Sequence, residues 1–246
     1  MNDSTSATSP VWPTRWPKNS FTGIWTWVIA GIIAGLFVVV FLAGLKNPAP
    51  KNVTPAELDV VIGIQFVVDG FLIALVLATL PALSKFSLRE LGFRVPTPMV
   101  LLAALGGAVV MVIVANGSAT LIDYVTKAQH PQDIVQMFKQ LHDRTTIAIF
   151  AAFAVIFAPI AEETLFRLFF FNLGLRYGGF WGGAVLSGIL FGIAHGDPYA
   201  ALPLTLGGIV LCGVYYRTRN AYASMISHSL FNSLSIVALL FGPKVS

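Results

Sequence analysis

Six ionisable side chains stand in stretches of sequence otherwise nearly free of charge: Asp69, Glu162, Glu163, Arg167, His195 and His228. A charge at membrane depth costs about 2.5–3.5 kcal/mol on insertion scales, so such residues face a protein interior and tend to serve function. All but Asp69 fall in the last part of the chain. Glu163 and Arg167 are four residues apart, as are Phe191 and His195, and His228 and Asn232. On a helix each pair shares a face. Glu163 can therefore pair with Arg167, the Phe191 ring can pack beside the His195 imidazole, and His228 and Asn232 project together.

This set suits peptide hydrolysis. A carboxylate in a low-dielectric pocket takes a proton more readily, which fits Glu162 for general-base work on water. His195 can share that water and later protonate the leaving amine. His228 and the Asn232 amide offer donors to a tetrahedral oxyanion, worth about 3–4 kcal/mol each in well-studied proteases. Alternatively, Glu162, His195 and His228 form a two-His-plus-carboxylate set that suits catalytic zinc. No HExxH pair is present, and the three ligands come from three separate segments.

Each residue also has a structural reading. Glu163 with Arg167 reads as an ion pair that fixes a helix, and Asn232 can join helices. Asp69 and Gln65, one turn apart, read as a structural contact or a feature of the substrate path. Cys212 reads as a small buried residue. His130 and His142 are expected in solvated loop, and Phe169, Phe170 and Phe171 against lipid or in the core.

The elements that position these groups come from composition. Charged residues make up 11% of the 246-residue chain, against roughly a quarter in a soluble domain, and the mean hydropathy is +0.79. Apolar residues are 56% and come in long blocks instead of at amphipathic spacing. Spanning helices need about 20 such residues, and backbone in hydrocarbon must pair within its own segment. The expected fold is an all-α polytopic transmembrane bundle of seven spans: 21–45, 60–83, 97–122, 145 to past 162, 180–195, 201–216 and 222–241. A break in the long fourth segment would make eight. Residues 1–20 are expected as a disordered tail with Trp12 and Trp16 at the interface. Residues 21–83 form two N-terminal spans, 84–241 a core carrying the candidate residues, and 242–246 a C-terminal tail. The first span is too long for a signal-peptide core and is expected to be retained.

Residues 84–94 (SKFSLRELGFR) are expected as a short basic interfacial helix. Ile134, Val135, Phe138 and Leu141 have helical spacing within the long 124–144 connection, which is expected on the membrane surface. Lys and Arg placement favours a cytoplasmic N-terminus, and a bacterial-type plasma membrane is the expected location. The net charge of +4 fits anionic headgroups; no nucleic-acid partner is expected. If the chain turns at the cytoplasmic face between Arg176 and Phe180, Glu162 and His195 lie roughly 20–25 Å deep at 1.5 Å per residue. His228, counted from Asn220, lies at roughly 12 Å, so tilt or a recessed start of the last helix must close the gap.

EETLFR at 162–167, FGIAH at 191–195 and HSLFN at 228–232 resemble the three motifs of the CAAX-processing and bacteriocin-processing membrane proteases, the type II CAAX prenyl endopeptidase or Abi family. The resemblance covers about residues 84–241. It implies an intramembrane endopeptidase in which Glu162 and His195 activate water, His228 and Asn232 bind the oxyanion, and Glu163 and Arg167 support them. Phe191 is expected as a further supporting residue. Its partners would be the lipid bilayer and a peptide or protein substrate, prenylated or bacteriocin-like. A metal-free mechanism is preferred, since Asn is a poor zinc ligand and a good oxyanion donor, with zinc the alternative. The competing classes are a proton- or ion-coupled transporter and a catalytically silent scaffold.

Overall fold

The computed structural model describes residues 19–46, 54–130, 132–139, 141 and 143–241. The expected tails, with Trp12 and Trp16, and His142 lie outside the described residues. Among the described residues all regular structure is helical, as the apolar blocks predict.

Helix α1 spans Ile24–Lys46. Helix α2 (Pro55–Ser84) starts on a Thr54–Glu57 capping box with Pro55 in its first turn, and ends where Lys85 turns left-handed at φ 66°. Both signals satisfy terminal backbone groups that have no partner inside the helix. Helix α3 (Pro98–Thr126) is capped by Thr97, so α2 and α3 each exceed their expected limits. The short α4 (Asp133–Lys139) confirms helical spacing in the long connection. Phe138 and Leu141 bury against Phe150 and Ile236, which ties this segment to the helices beneath it.

Asp143 then caps a continuous helical run, Arg144–Ala194. Two π-helical segments interrupt it: α5 (Arg144–Ala152), a first π-helical segment (Phe153–Phe157), α6 (Ala158–Glu163), a second π-helical segment (Thr164–Phe171), then α7 (Asn172–Ala194). Gly179, at φ 63° and ψ −163°, folds the run back on itself. That conformation is essentially open only to glycine, and it falls where the fourth and fifth spans were expected to part. The two arms pack antiparallel: Ser187 Oγ donates to Phe166 O at 2.8 Å, and a Cβ on Gly174 would stand 2.6 Å from Gly183 Cα. Helices α8 (Ala201–Thr218) and α9 (Ala221–Phe241) complete the bundle.

Five helical stretches among the described residues are long and apolar enough to cross a membrane, against seven expected. The Arg144–Ala194 run enters as one stretch, and α8 is not among the five. The outer faces of α1, α2 and α3 carry exposed side chains such as Trp25, Leu36, Phe71, Leu102 and Ile113. In an integral membrane protein these are lipid-facing. The core lies at the folded-back run, where Phe166, Phe169, Phe170, Phe171, Phe191, Cys212 and Tyr215 are buried together.

The 84–94 segment departs from expectation: it forms turns, not a helix. Ser87 and Glu90 do form a capping box, with Ser87 N–H donating to Glu90 Oε2 at 2.8 Å and Glu90 N–H to Ser87 Oγ at 3.3 Å. Gly92, at φ 108°, ends the single turn. A side chain there would also meet Ala221 N at 2.8 Å. The chain instead covers the start of α9: Ala221 N–H donates to Gly92 O at 2.9 Å, and Asn220 Nδ2 to Arg94 O at 2.8 Å. Leu91 and Ala221 are both buried. The 92–94 segment thereby caps the first residues of α9.

Candidate active site

The buried back of the site is a three-residue chain. Glu163 and Arg167 lie one turn apart at the α6–π junction, with Arg167 Nε 2.9 Å from Glu163 Oε2 and both side chains almost fully buried. The other Glu163 oxygen, Oε1, stands 3.0 Å from His228 Nδ1 of α9. A carboxylate only accepts, so Nδ1–H donates and the Nε2 edge is turned outward. That edge faces Glu162 Oε2 at 3.7 Å. Arg167 lies over the Phe191 ring at 4.7 Å, a cation–π contact strengthened by burial. Its Nη1 and Nη2 have no hydrogen-bond partner among the described residues, so charge pairing and the ring carry this guanidinium.

Phe191 links the motifs. Its centroid is 5.6 Å from the His228 ring and 5.0 Å from the His195 ring. The expected Phe191–His195 packing is present, edge to face. His195 closes α7, and its Nδ1 lies 2.8 Å from Phe191 O. A carbonyl only accepts, so the proton sits on Nδ1 and Nε2 is left as the working nitrogen. His195 is exposed and Glu162 partly so, whereas Glu163, Arg167 and His228 are buried. Glu162 Oε2 has no hydrogen-bond partner among the described residues. Glu162 and His195 form no direct bond with each other.

Asn232 is placed by a backbone fault. In the first π-helical segment Ala158 N–H reaches back to Phe153 O, five residues earlier. The next donor in that register would be residue 159, but Pro159 has no N–H, and Ala154 O is left over. Asn232 Nδ2 donates to that oxygen at 2.7 Å. One amide hydrogen of Asn232 is thus committed to joining α9 to the π turn, as the helix-joining reading expects. The second is available, because an amide carries two donors. π-Helical turns of this kind recur at functional sites.

The arrangement therefore brings Glu162, Glu163, Arg167, Phe191 and His228 into contact. His195 borders them through Phe191, and Asn232 is anchored one turn below His228. Asp69 was read as structural or path-forming, and its Oδ1 does accept from Gln65 Nε2 at 2.9 Å. It also lies within electrostatic range of His195 and Glu162. The structural contribution of Ala154 O was missed, although Pro159 signals it in the sequence. His130 is not a solvated loop residue: it lies 3.2 Å from Asp123 Oδ1 and stacks on Tyr199 at 3.7 Å. Its placement at the end of the lengthened α3 accounts for that. Phe169, Phe170 and Phe171 are core, and Cys212 is buried.

A zinc ion on Glu162, His195 and His228 would need these side chains to close around it. Among the described residues no three His, Cys, Asp or Glu side chains converge as a ligand set; the Nδ1 contact of His228 with Glu163 leaves its Nε2 as the nitrogen that would face a metal.

Comparison with known proteins bears on the same segment. Residues 144–234 match the family model described as type II CAAX prenyl endopeptidase Rce1-like. The chain is similar to a Bacillus subtilis (strain 168) protein named "Putative membrane peptidase YdiL", at 24% identity over 182 residues, 72% of this chain and 70% of that protein. No solved structure matches significantly. The matched stretch, residues 144–234 of this integral membrane protein, is the one that holds all three motifs and the Glu162, Glu163, Arg167, Phe191 and His228 cluster.

Proposed function

We propose that the protein is an intramembrane endopeptidase that hydrolyses one peptide bond of a prenylated CAAX-type or bacteriocin-like substrate, with Glu162 as the general base. The observation that carries this reading is the division of the acidic pair. Glu163 is held closely by Arg167 at 2.9 Å and His228 at 3.0 Å, while Glu162 Oε2, beside it, meets only the His228 Nε2 edge at 3.7 Å and has no hydrogen-bond partner among the described residues.

Glu162 takes a proton from water, and the hydroxide adds to the scissile carbonyl carbon. The carbonyl π electrons move to oxygen, where the second Asn232 N–H stabilises the charge, joined by His228 when its ring carries a proton on Nε2 as well as on Nδ1. As the tetrahedral centre collapses, the C–N bond breaks and the amine leaves with the proton taken from water. His195 Nε2, free because Nδ1 is held by Phe191 O, shares that water and assists the proton's transfer. Arg167 and Glu163 do not touch substrate; they hold the His228 ring by its back edge. The N-terminus is assigned to the cytoplasm of a bacterial-type plasma membrane, on the Lys and Arg distribution.

The test is cleavage of a quenched fluorescent farnesylated CAAX peptide by purified protein in detergent. Wild type is compared with Glu162→Ala and His228→Ala, each with and without a strong chelator. Activity lost in both variants and kept with chelator is expected. Loss on chelation, restored by zinc, would replace the metal-free mechanism. Full activity of Glu162→Ala would end the assignment of Glu162 as base.

A further inference from the structure

Asp69 stands on α2, outside the segment that matches the family model. Its side chain is 6% exposed. Gln65 Nε2 holds Oδ1 at 2.9 Å, and Oδ2 is buried with no hydrogen-bond partner among the described residues. A carboxylate oxygen left in that state is costly, and α2 spends a helix face to keep it there. The neighbours of that face are the site itself. Helix α2 packs on α6 and on the second π-helical segment, and Asp69 lies within electrostatic range of both Glu162 and His195. A Cβ on the adjacent Gly70 would stand 3.8 Å from the Phe157 ring, which fixes this stretch of α2 against the π turn.

A bound peptide has its own unmet demand. To present a scissile bond its backbone must be extended, and in hydrocarbon every backbone N–H needs an acceptor. An all-helical bundle offers no strand edge to supply one, since helix carbonyls are bonded internally. Side-chain acceptors must serve. Of the buried carboxylates with an unpartnered oxygen among the described residues, Glu162 is assigned to water and Glu163 to Arg167 and His228, which leaves Asp69 Oδ2. One turn before it on α2, Phe66 stacks on Phe157 at 4.1 Å. Phe66 lines a cleft of about 470 Å³ between α2 and α5 that reaches Asp59 and Asp143 at its rim. That cleft leaves room for an extended chain along α2, on the α5 side and within one turn of Asp69.

Resting on the endopeptidase reading above, we infer that Asp69 is a substrate-binding residue: its Oδ2 accepts a main-chain N–H of the extended substrate beside the scissile bond, and Gln65 orients it by holding Oδ1. Helix α2 thereby contributes to the site a group that the matched domain does not contain. Asp69→Asn tests this, because with the amide oxygen kept on Gln65 the variant presents an N–H where an acceptor stood.

The experiment measures equilibrium binding of a fluorescent farnesylated CAAX peptide, by anisotropy in detergent, to full-length Glu162→Gln protein with and without Asp69→Asn. A series of the same peptide, each N-methylated at one amide around the scissile bond, is measured beside it. Asp69→Asn is expected to weaken the parent peptide roughly ten- to hundredfold. One methylated peptide should bind the Asp69 protein that much more weakly, yet bind the Asp69→Asn protein as well as the parent does. A residue that only stabilised the fold would not produce that coupling. If Asp69→Asn fails to fold, Gln65→Leu, which releases the carboxylate, carries the same comparison. Equal parent affinities, or identical methylation penalties in both proteins, overturn the inference and leave the endopeptidase standing. Failure of the Asp69-bearing protein to bind the peptide removes the inference together with the reading it rests on.

Discussion

Asn232→Ala removes two things at once, and Pro159 allows them to be separated. The first is the partner of Ala154 O, which the missing Pro159 N–H leaves unpaired and Asn232 Nδ2 holds at 2.7 Å. An unsatisfied buried acceptor costs about 1–3 kcal/mol. Ala154 and Asn232 are only half-buried, so the lower end, about 1 kcal/mol, is expected. The second is an oxyanion donor, whose loss lowers kcat by a factor on the order of 10²–10³. Pro159→Ala restores an N–H to the helix and gives Ala154 O a backbone partner. In the Pro159→Ala protein, Asn232→Ala should therefore cost little stability while still lowering kcat by that factor. The assay is a double-mutant cycle, reading the unfolding midpoint in detergent and peptide cleavage, with Pro159→Ala alone as the activity reference. Recovery of activity along with stability would refute the reasoning, since Asn232 would then act only as a brace. An equal stability loss in both backgrounds would refute the link between Pro159 and Ala154 O.

Arg167→Ala leaves Glu163 buried without its cation and should destabilise the protein by about 3–5 kcal/mol, read as a lowered unfolding midpoint; unchanged stability would mean the pair is dispensable. Gly179→Ala forces a side chain into a backbone conformation at φ 63° and ψ −163° and should cost about 1–3 kcal/mol, checked by the same unfolding measurement. At the interface, the Ser87 side chain and backbone N–H hold Glu90 below its ordinary carboxyl value of 4.5. That contribution is full above pH 4.5 and lost as pH falls through the lowered folded value. Glu90→Gln should therefore remove that contribution at neutral pH, flatten the acid limb, and leave stability at low pH, where Glu90 is already protonated, nearly unchanged.

The back of the site was open to sequence reasoning because its contacts are local. Glu163 with Arg167, and Phe191 with His195, follow from a spacing of four, and the structure forms both. The His228–Glu163 bond was not readable in that way. Counting residues from Asn220 placed His228 shallower than Glu162 and could not show that its Nδ1 reaches Glu163 at 3.0 Å. The 84–94 segment was misread. The Ser87–Glu90 box is a true helix-start signal, but Gly92 two residues later stops the turn, and the competing signal won. Asn232 was readable as an oxyanion donor but not as the partner of Ala154 O, which requires the π register as well as Pro159. Asp69 stood far from the motifs in sequence. Only the packing of α2 on α6 brings its free oxygen to the same place.

The central claim is that water activated by Glu162 opens a peptide bond within the membrane domain. It is tested most directly by mass spectrometry of the products formed from a farnesylated CAAX peptide in ¹⁸O-water. Wild type should yield a single cut, with ¹⁸O in the new C-terminal carboxylate, and Glu162→Ala should yield no cut product above background. The same labelled product from Glu162→Ala at the wild-type rate would contradict it.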